Sequence, residues 1–194
     1  MAEQGIRLIV GLGNPGPQYA GTRHNAGYWL VDRIAERAGV ELRPEAKFQG
    51  FVARVSGADG DLRLLKPTSF MNHSGRAVAA VCRYFEIEPN AVLVAYDELD
   101  LPVGTAKLKF GGGHAGHNGL RDTLAALGSR DFWRLRIGIG HPGTKEQVIG
   151  YVLSRPSRPD LDAILEVVDE AKACLPELLA GDYQRVMNRL HARP

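Results

Sequence analysis

An apolar run, Leu8-Ile9-Val10, ends in Gly11-Leu12-Gly13-Asn14-Pro15-Gly16, and Thr22-Arg23-His24-Asn25 follows a few residues later. A short buried-type strand that ends in a glycine-rich turn before a helix is a unit of α/β folds. Polar side chains in such a turn sit at the carboxyl end of a strand, where open α/β sheets form their sites. The turn therefore delivers an asparagine and a histidine to one place.

On paper, 11–16 also matches G-x-G-x-x-G. A dinucleotide fingerprint needs a helix to open inside the motif and an acidic residue ~20 positions on, at a second strand end. Here Pro15 and Pro17 straddle Gly16, and the next periodic apolar face begins beyond Asn25. Asp32 falls inside that helical pattern rather than at a strand end. A nucleotide-dependent oxidoreductase is the alternative this motif raises.

The rest of the chain alternates strand and helix patterns. Arg7 to Gly11 reads as a buried strand, and a helix runs from about Asn25 to Ala38. Its inward face is Leu30, Val31, Ile34, Ala35 and Ala38, with Gly39 as the stop. Phe48 to Ser56 and Leu62 to Lys66 flank Gly57-Ala58-Asp59-Gly60-Asp61 as a hairpin. Ser74 to Glu86 is helical, with Ala77, Val78, Val81 and Phe85 inward, and Ala91 to Tyr96 is a buried-type strand. Thr105 to Phe110 alternates, with Ala106, Leu108 and Phe110 on the apolar face. Leu120 to Leu127 is helical, and Phe132 to Gly140 alternates Trp133, Leu135, Ile137 and Ile139 against Arg134 and Arg136. The last forty or so residues are helical in pattern, broken near Pro176 and Gly181, with Asp182 as a cap for a final helix. The expected architecture is one α/β domain over 1–194: a twisted mixed β-sheet flanked by helices on both faces.

The 194 residues are 44% hydrophobic, enough for a sizeable core. No apolar run approaches the ~20 residues of a membrane span. The start, Met1 to Arg7, lacks the apolar core of a signal peptide, so the expected location is the cytoplasm. Cys82 and Cys174 have no CxxC context and read as reduced, buried thiols. The net charge is only +2. Between 101 and 141, however, Lys107, Lys109, Arg121, Arg130, Arg134 and Arg136 face only Asp122 and Asp131, while 151–181 is acidic. A basic middle beside an acidic stretch suits a bounded phosphate footprint, or ordinary solvated charge.

Four places carry candidate chemistry. His24 closes the first loop, and Asp97 directly follows the strand Val92-Leu93-Val94-Ala95. A carboxylate bonded to one imidazole nitrogen fixes the tautomer, leaving the other to accept a proton. Asp97-Glu98-Leu99-Asp100 reads equally as a metal-binding or turn-forming cluster. In Lys66 to Gly75, Phe70 and Met71 are large apolar residues in a polar loop, suited to a platform or to docking that loop on the core. Asn72 can donate to an oxyanion or orient water. Gly111 to Gly119 holds five glycines, and its backbone amides can approach an anion. His114 and His117 invite a zinc reading, but no third ligand or supporting residue has suitable spacing. Lys107 and Lys109 lead into this loop and can hold phosphates as point charges.

The motifs Val10 to Gly16 with Tyr19, Thr22 to Gly27, Lys66-Pro67 through Met71-Asn72 and Ser74-Gly75, Asp97 to Pro102 with Gly104, Gly111 to Leu120, and Arg136 to Pro142 together resemble bacterial peptidyl-tRNA hydrolases. The resemblance spans about 7–153 with family-like order and spacing, beyond which only helical character matches. Ser69 stands where the family more often has threonine, which keeps a hydroxyl. The resemblance implies a translation-associated hydrolase that cleaves the ester between a peptide and the terminal ribose of tRNA, recycling peptidyl-tRNA dropped by ribosomes. It implies His24 as general base supported by Asp97, Asn72 on the water or oxyanion, and Asn14 on the peptide's first amide, rejecting free-amine aminoacyl-tRNA. It implies Tyr19, Phe70, Met71, Asn118 and nearby His117 around the peptide and 3′ end, and Lys107, Lys109 and Arg136 as a phosphate clamp. No metal or organic cofactor, no membrane and no obligate protein partner are implied, so the expected state is a monomer. A non-catalytic RNA-binding relative is the other alternative, which the presence of His24, Asp97 and Asn72 argues against.

Overall fold

The computed structural model describes residues 3–57 and 60–192. Seven strands form one sheet in the order β2-β3-β4-β1-β5-β7-β6. They are β1 (Leu8–Gly11), β2 (Arg43–Glu45), β3 (Gly50–Gly57), β4 (Gly60–Pro67), β5 (Val92–Glu98), β6 (Ala106–Phe110) and β7 (Trp133–Gly138). β4, β1, β5 and β7 run parallel, while β2, β3 and β6 are antiparallel to their neighbours. The sheet is therefore mixed, as expected. Ala58 and Asp59 of the expected hairpin turn, the start Met1-Ala2 and the terminal Arg193 lie outside the described residues.

Helices cover both faces. α1 (Ala26–Ala38), α5 (Arg158–Ala173), α6 (Leu175–Ala180) and α7 (Tyr183–His191) pack on one core, built on Ile9, Leu93, Leu135 and Ile137. α2 (Gly75–Phe85) and α3 (Asn118–Leu127) pack on the other, built on Val10, Val92, Val94 and Phe132. Alternation along β1 and β5 sends successive residues to opposite cores. One further short helix, α4 (Val148–Val152), stands beside the carboxyl ends of the strands.

The stop and start signals work locally. Gly39 ends α1 in the left-handed conformation. Ser157 and Asp182 cap α5 and α7, each accepting an amide hydrogen two or three residues into its helix. β1 and α1 cross so closely that a Cβ on Gly27 would lie 2.3 Å from Ala95 O and 2.6 Å from Leu12 N. Only glycine fits there, and the close approach brings the residues before Gly27 to the end of β1.

Three expectations need correction. Phe110 is 43% exposed, as the last residue of β6, the edge strand of the sheet. Ala38 is exposed as the last residue of α1. Arg134, expected on a solvated face, is 1% exposed. The short β2, with every residue exposed, carries no periodic signal and was not anticipated.

Candidate active site

Parallel β4, β1 and β5 end at one edge of the sheet, and the loops leaving them supply the first residues of the site. The β1 loop is fastened to the turn Arg23–Asn25 by a double bond pattern. Asn14 N–H donates to Asn25 Oδ1 at 2.8 Å, and Asn25 Nδ2 donates to Asn14 O at 2.9 Å. This buried pair converts two sequence motifs into one rigid ledge. No helix opens within 11–16, since α1 begins at Ala26. The dinucleotide alternative therefore lacks its anion-facing helix.

His24 projects from this ledge onto β5. Its Nδ1 lies 2.7 Å from Asp97 Oδ2. Asp97, only 2% exposed, also receives His117 through Oδ1 and Nε2 at 2.8 Å. His117 comes from an indirect route. β6 runs antiparallel to β7, so Phe110 ends beside Trp133, at the far end of the sheet. The glycine loop must travel back, with left-handed Gly111, Gly112, Ala115 and Gly116 shaping the path. Buried Arg134 anchors it by donating to Gly113 O and, at 2.7 Å, to Gly112 O. His117 then caps α3: its Nδ1 accepts Leu120 N–H at 3.2 Å.

That cap fixes the protons of the whole group. An Nδ1 that accepts a hydrogen bond is bare, so the neutral ring carries its hydrogen on Nε2 and donates it to Asp97. Asp97 has His24 on its other oxygen, which places a hydrogen on His24 Nδ1. His24 Nε2 is left with a free lone pair and has no hydrogen-bond partner among the described residues. These tautomers are assigned from the hydrogen-bond network.

The same network answers the metal question. His24, Asp97 and His117 have ligand atoms within 4.8 Å of one another. A metal on His117 Nε2 would require both ring nitrogens to be bare, an imidazolate, while Nδ1 still accepts from Leu120. The donor chemistry therefore fits a histidine–carboxylate–histidine hydrogen-bond relay and not a metal centre. The expected alternative pair does not form either, because His114 Nδ1 accepts from Gly116 N–H in its own turn.

Electrostatics follow from burial and pairing. Burial disfavours the charged form of His24, but the charge and hydrogen bond of Asp97 outweigh it, and the imidazole is held above its ordinary 6.5. Burial likewise disfavours ionised Asp97, yet the two imidazoles overcome this and hold its carboxyl below the ordinary carboxylate range. Asp97 is therefore an anion clamped between two rings whose centroids lie 5.2 Å apart.

A cleft of about 770 Å³ opens over this group. Asn14, Met71, Asn72 and Asn118 line it beside His24 and His117. Asn14 Oδ1 accepts Met71 N–H at 2.7 Å, so the amide that remains for the cleft is the donor Nδ2. Asn72 sits in the short turn Met71–His73 after β4 and is exposed. Phe70 is 56% exposed on the rim, with Tyr19 edge-on against it at 6.2 Å. The opposite wall is apolar, made by Val148, Ile149, Val152 and Leu153 around α4.

The expected cations gather elsewhere. Lys107 stands opposite Arg136, and Lys109 opposite Arg134, so all four share one face of β6 and β7. Lys107 and Lys109 are exposed and have no ion-pair partner among the described residues. Arg136 is paired with Glu98 at 2.8 Å, and Arg134 is committed to the glycine loop. Asn25 and the direct His117–Asp97 bond were not singled out from sequence. Asn25 lay within the quoted motif, but its bond spans 11 residues of irregular loop.

Comparison with known proteins gives a consistent set. A family model described as Peptidyl-tRNA hydrolase matches residues 8–194, so the likeness extends through the C-terminal helices as well. A protein named peptidyl-tRNA hydrolase from Halorhodospira halophila (strain DSM 244 / SL1) is 56% identical over 187 residues, covering 96% of each chain. One from Coxiella burnetii (strain CbuG_Q212) is 54% identical over 188 residues, covering 97% of this chain and 98% of its own. The crystal structure of peptidyl-tRNA hydrolase from Acinetobacter baumannii superposes with a TM-score of 0.94 at 44% identity, covering 99% of this chain and 97% of that one.

Proposed function

The chain belongs to the peptidyl-tRNA hydrolase family, and from that premise we propose a mechanism in which His24 is the general base and Asp97 its anchor. The protein is a hydrolase acting on peptidyl-tRNA. The single observation that carries the mechanism is the relay His24–Asp97–His117, which leaves one bare nitrogen, His24 Nε2, facing a cleft.

Water in the cleft loses a proton to His24 Nε2 as its oxygen attacks the ester carbonyl carbon. Asp97 stabilises the imidazolium that results, without itself taking the proton. Asn72 donates to the oxyanion or steadies the water. The tetrahedral species collapses, the bond to the terminal ribose oxygen breaks, and that oxygen takes the proton back from His24. The products are a peptide with a free carboxyl end and tRNA with a free ribose hydroxyl. Side chains complete both proton transfers, so no serine or cysteine nucleophile, metal or organic cofactor enters the reaction.

Asn14 sets the substrate's polarity. With Oδ1 held by Met71, Nδ2 faces the cleft as a donor and suits the carbonyl oxygen of an N-acyl group. A free-amine aminoacyl-tRNA lacks that carbonyl and presents an ammonium instead, leaving the donor unpaired. Phe70, Tyr19, Asn118 and Met71 border the peptide and 3′ end. Lys107, Lys109 and Arg136 clamp phosphates further along the tRNA, which are sequence-blind contacts suited to many tRNAs. No helix of the described residues is long and apolar enough to cross a membrane. The setting we propose is a monomer working in the cytoplasm. Timed hydrolysis of an N-acetyl-aminoacyl-tRNA against its free-amine counterpart tests the reading: the first is cleaved and the second is spared. Equal cleavage of both contradicts the role of Asn14.

A further inference from the structure

Arg23, the residue before His24, is 8% exposed and has no carboxylate partner among the described residues. Buried charges are ordinarily paired. Here the guanidinium is taken up by the carboxyl end of α4 instead. Nη1 donates to Tyr151 O at 3.2 Å, to Ser154 O at 3.4 Å and to Ser154 Oγ, and its backbone N–H donates to Ser154 O at 3.1 Å. These carbonyls stand in and just beyond the last turn of α4. The guanidinium also lies 4.0 Å over the Tyr151 ring.

Val148, Tyr151 and Val152 pack on the core, but few other hydrogen bonds fasten this segment. Among the described residues, the hydrogen bonds that tie 141–156 to other parts of the chain are those from Arg23, plus Tyr151 hydroxyl to Ile139 O at 2.5 Å. The bonds within 141–147 are local, as with Gly143 N–H to His141 Nδ1 and Gln147 N–H to Thr144 O. Yet the segment presents Ile149, 73% exposed, and Leu153 to the cleft that Phe70 also lines.

We propose that Arg23 is a positioning residue that ties the apolar α4 wall to the His24 turn, so that the wall stands at a fixed distance from the reacting ester and receives apolar side chains of the peptide. The proposal rests on the hydrolase mechanism above. One side of the turn carries the base, and the other carries the strap that holds the opposite wall. Peptide side chains and the base are thereby registered to a single short stretch of backbone.

The test is kinetic and structural together. Arg23→Ala is compared with wild type on a peptidyl-tRNA bearing leucine or phenylalanine and on N-acetylglycyl-tRNA, with amide hydrogen exchange followed across the chain. A charged hydrogen bond lost from the strap predicts a rise of about tenfold in KM for the apolar substrate, with kcat within about twofold. The glycyl substrate should lose less, and amides of 148–154 should exchange faster while β5 and α1 keep wild-type protection. A fall in kcat at unchanged KM, equal losses on both substrates, or unchanged exchange at 148–154 overturns the proposal. If Arg23→Ala does not fold, Arg23→Lys and Ser154→Ala decide by the same exchange measurement, faster exchange supporting the strap and wild-type exchange overturning it. Failure of the wild type to cleave either substrate would instead strike the hydrolase mechanism, since the exchange result stands without turnover.

Discussion

His117 donates its Nε2 hydrogen to Asp97 while Leu120 occupies its Nδ1. Asp97 thus shares its charge between two rings. This gives a sign to each variant: removing His117 concentrates the charge on His24, and removing the charge of Asp97 releases His24 to the effect of burial.

The pH profile of the wild type follows from the raised pKa of His24. The base works only when Nε2 is bare, so kcat/KM should fall on the acid side through a limb lying above the ordinary 6.5. In Asp97→Asn burial dominates, and the limb should move to lower pH while the plateau drops by about 10²–10⁴-fold. Initial rates from pH ~5 to ~9 check both. For stability the signs are opposite. The raised His24 contributes stability that is full below 6.5 and is lost as pH rises through its folded value. The depressed Asp97 contributes stability above 3.8 that is lost as pH falls through its own.

His117→Asn separates the cap from the relay. Asparagine caps helices well, so α3 keeps its accepted bond and Tm stays close to wild type. Asp97 loses one donor and acts more strongly on His24, so the acid limb should move to higher pH. His117→Ala loses both, and should add about 1 kcal/mol of destabilisation to the same pH shift. Thermal melts beside pH-rate profiles distinguish the two variants.

Asn14→Asp replaces the donor that faces the cleft with an acceptor. Cleavage of N-acetyl-aminoacyl-tRNA should fall by about 10–100-fold, and its advantage over the free-amine substrate should narrow. The ratio of kcat/KM values for the two substrates is the measurement.

Lys107→Ala with Lys109→Ala should weaken binding of intact tRNA much more than of a short 3′ fragment. The dependence of log K on log salt should flatten by about 2, one phosphate for each lysine. Arg136→Ala should behave differently, because it strands the buried carboxylate of Glu98 and lowers Tm as well. Salt titrations with both RNAs, and melts of both variants, check this.

The order of strands and helices was largely legible, because Leu8 to Val10, Val92 to Ala95 and the α1 and α2 faces carry clear periods. His24 and Asp97 could be assigned to one strand edge for the same reason. What escaped depends on topology. Phe110 alternates like a buried residue, but nothing in its own segment says that β6 is the edge. Arg134 reads as a solvated cation until the glycine loop is seen to cross above it. His117 could be placed near the site only through a family resemblance, since the loop that carries it starts from the far end of the sheet. Arg23 was quoted only as part of the His24 motif, because its partners lie 128 and 131 residues away.

The central claim is that His24 Nε2, held bare by Asp97, takes the proton from water. The most direct measurement is the single-turnover rate of N-acetyl-aminoacyl-tRNA hydrolysis by wild type and His24→Ala across pH. The predicted result is a loss of about 10²–10⁴-fold in His24→Ala together with disappearance of the acid limb. A variant that cleaves as fast as wild type, or that keeps the same limb, would contradict it.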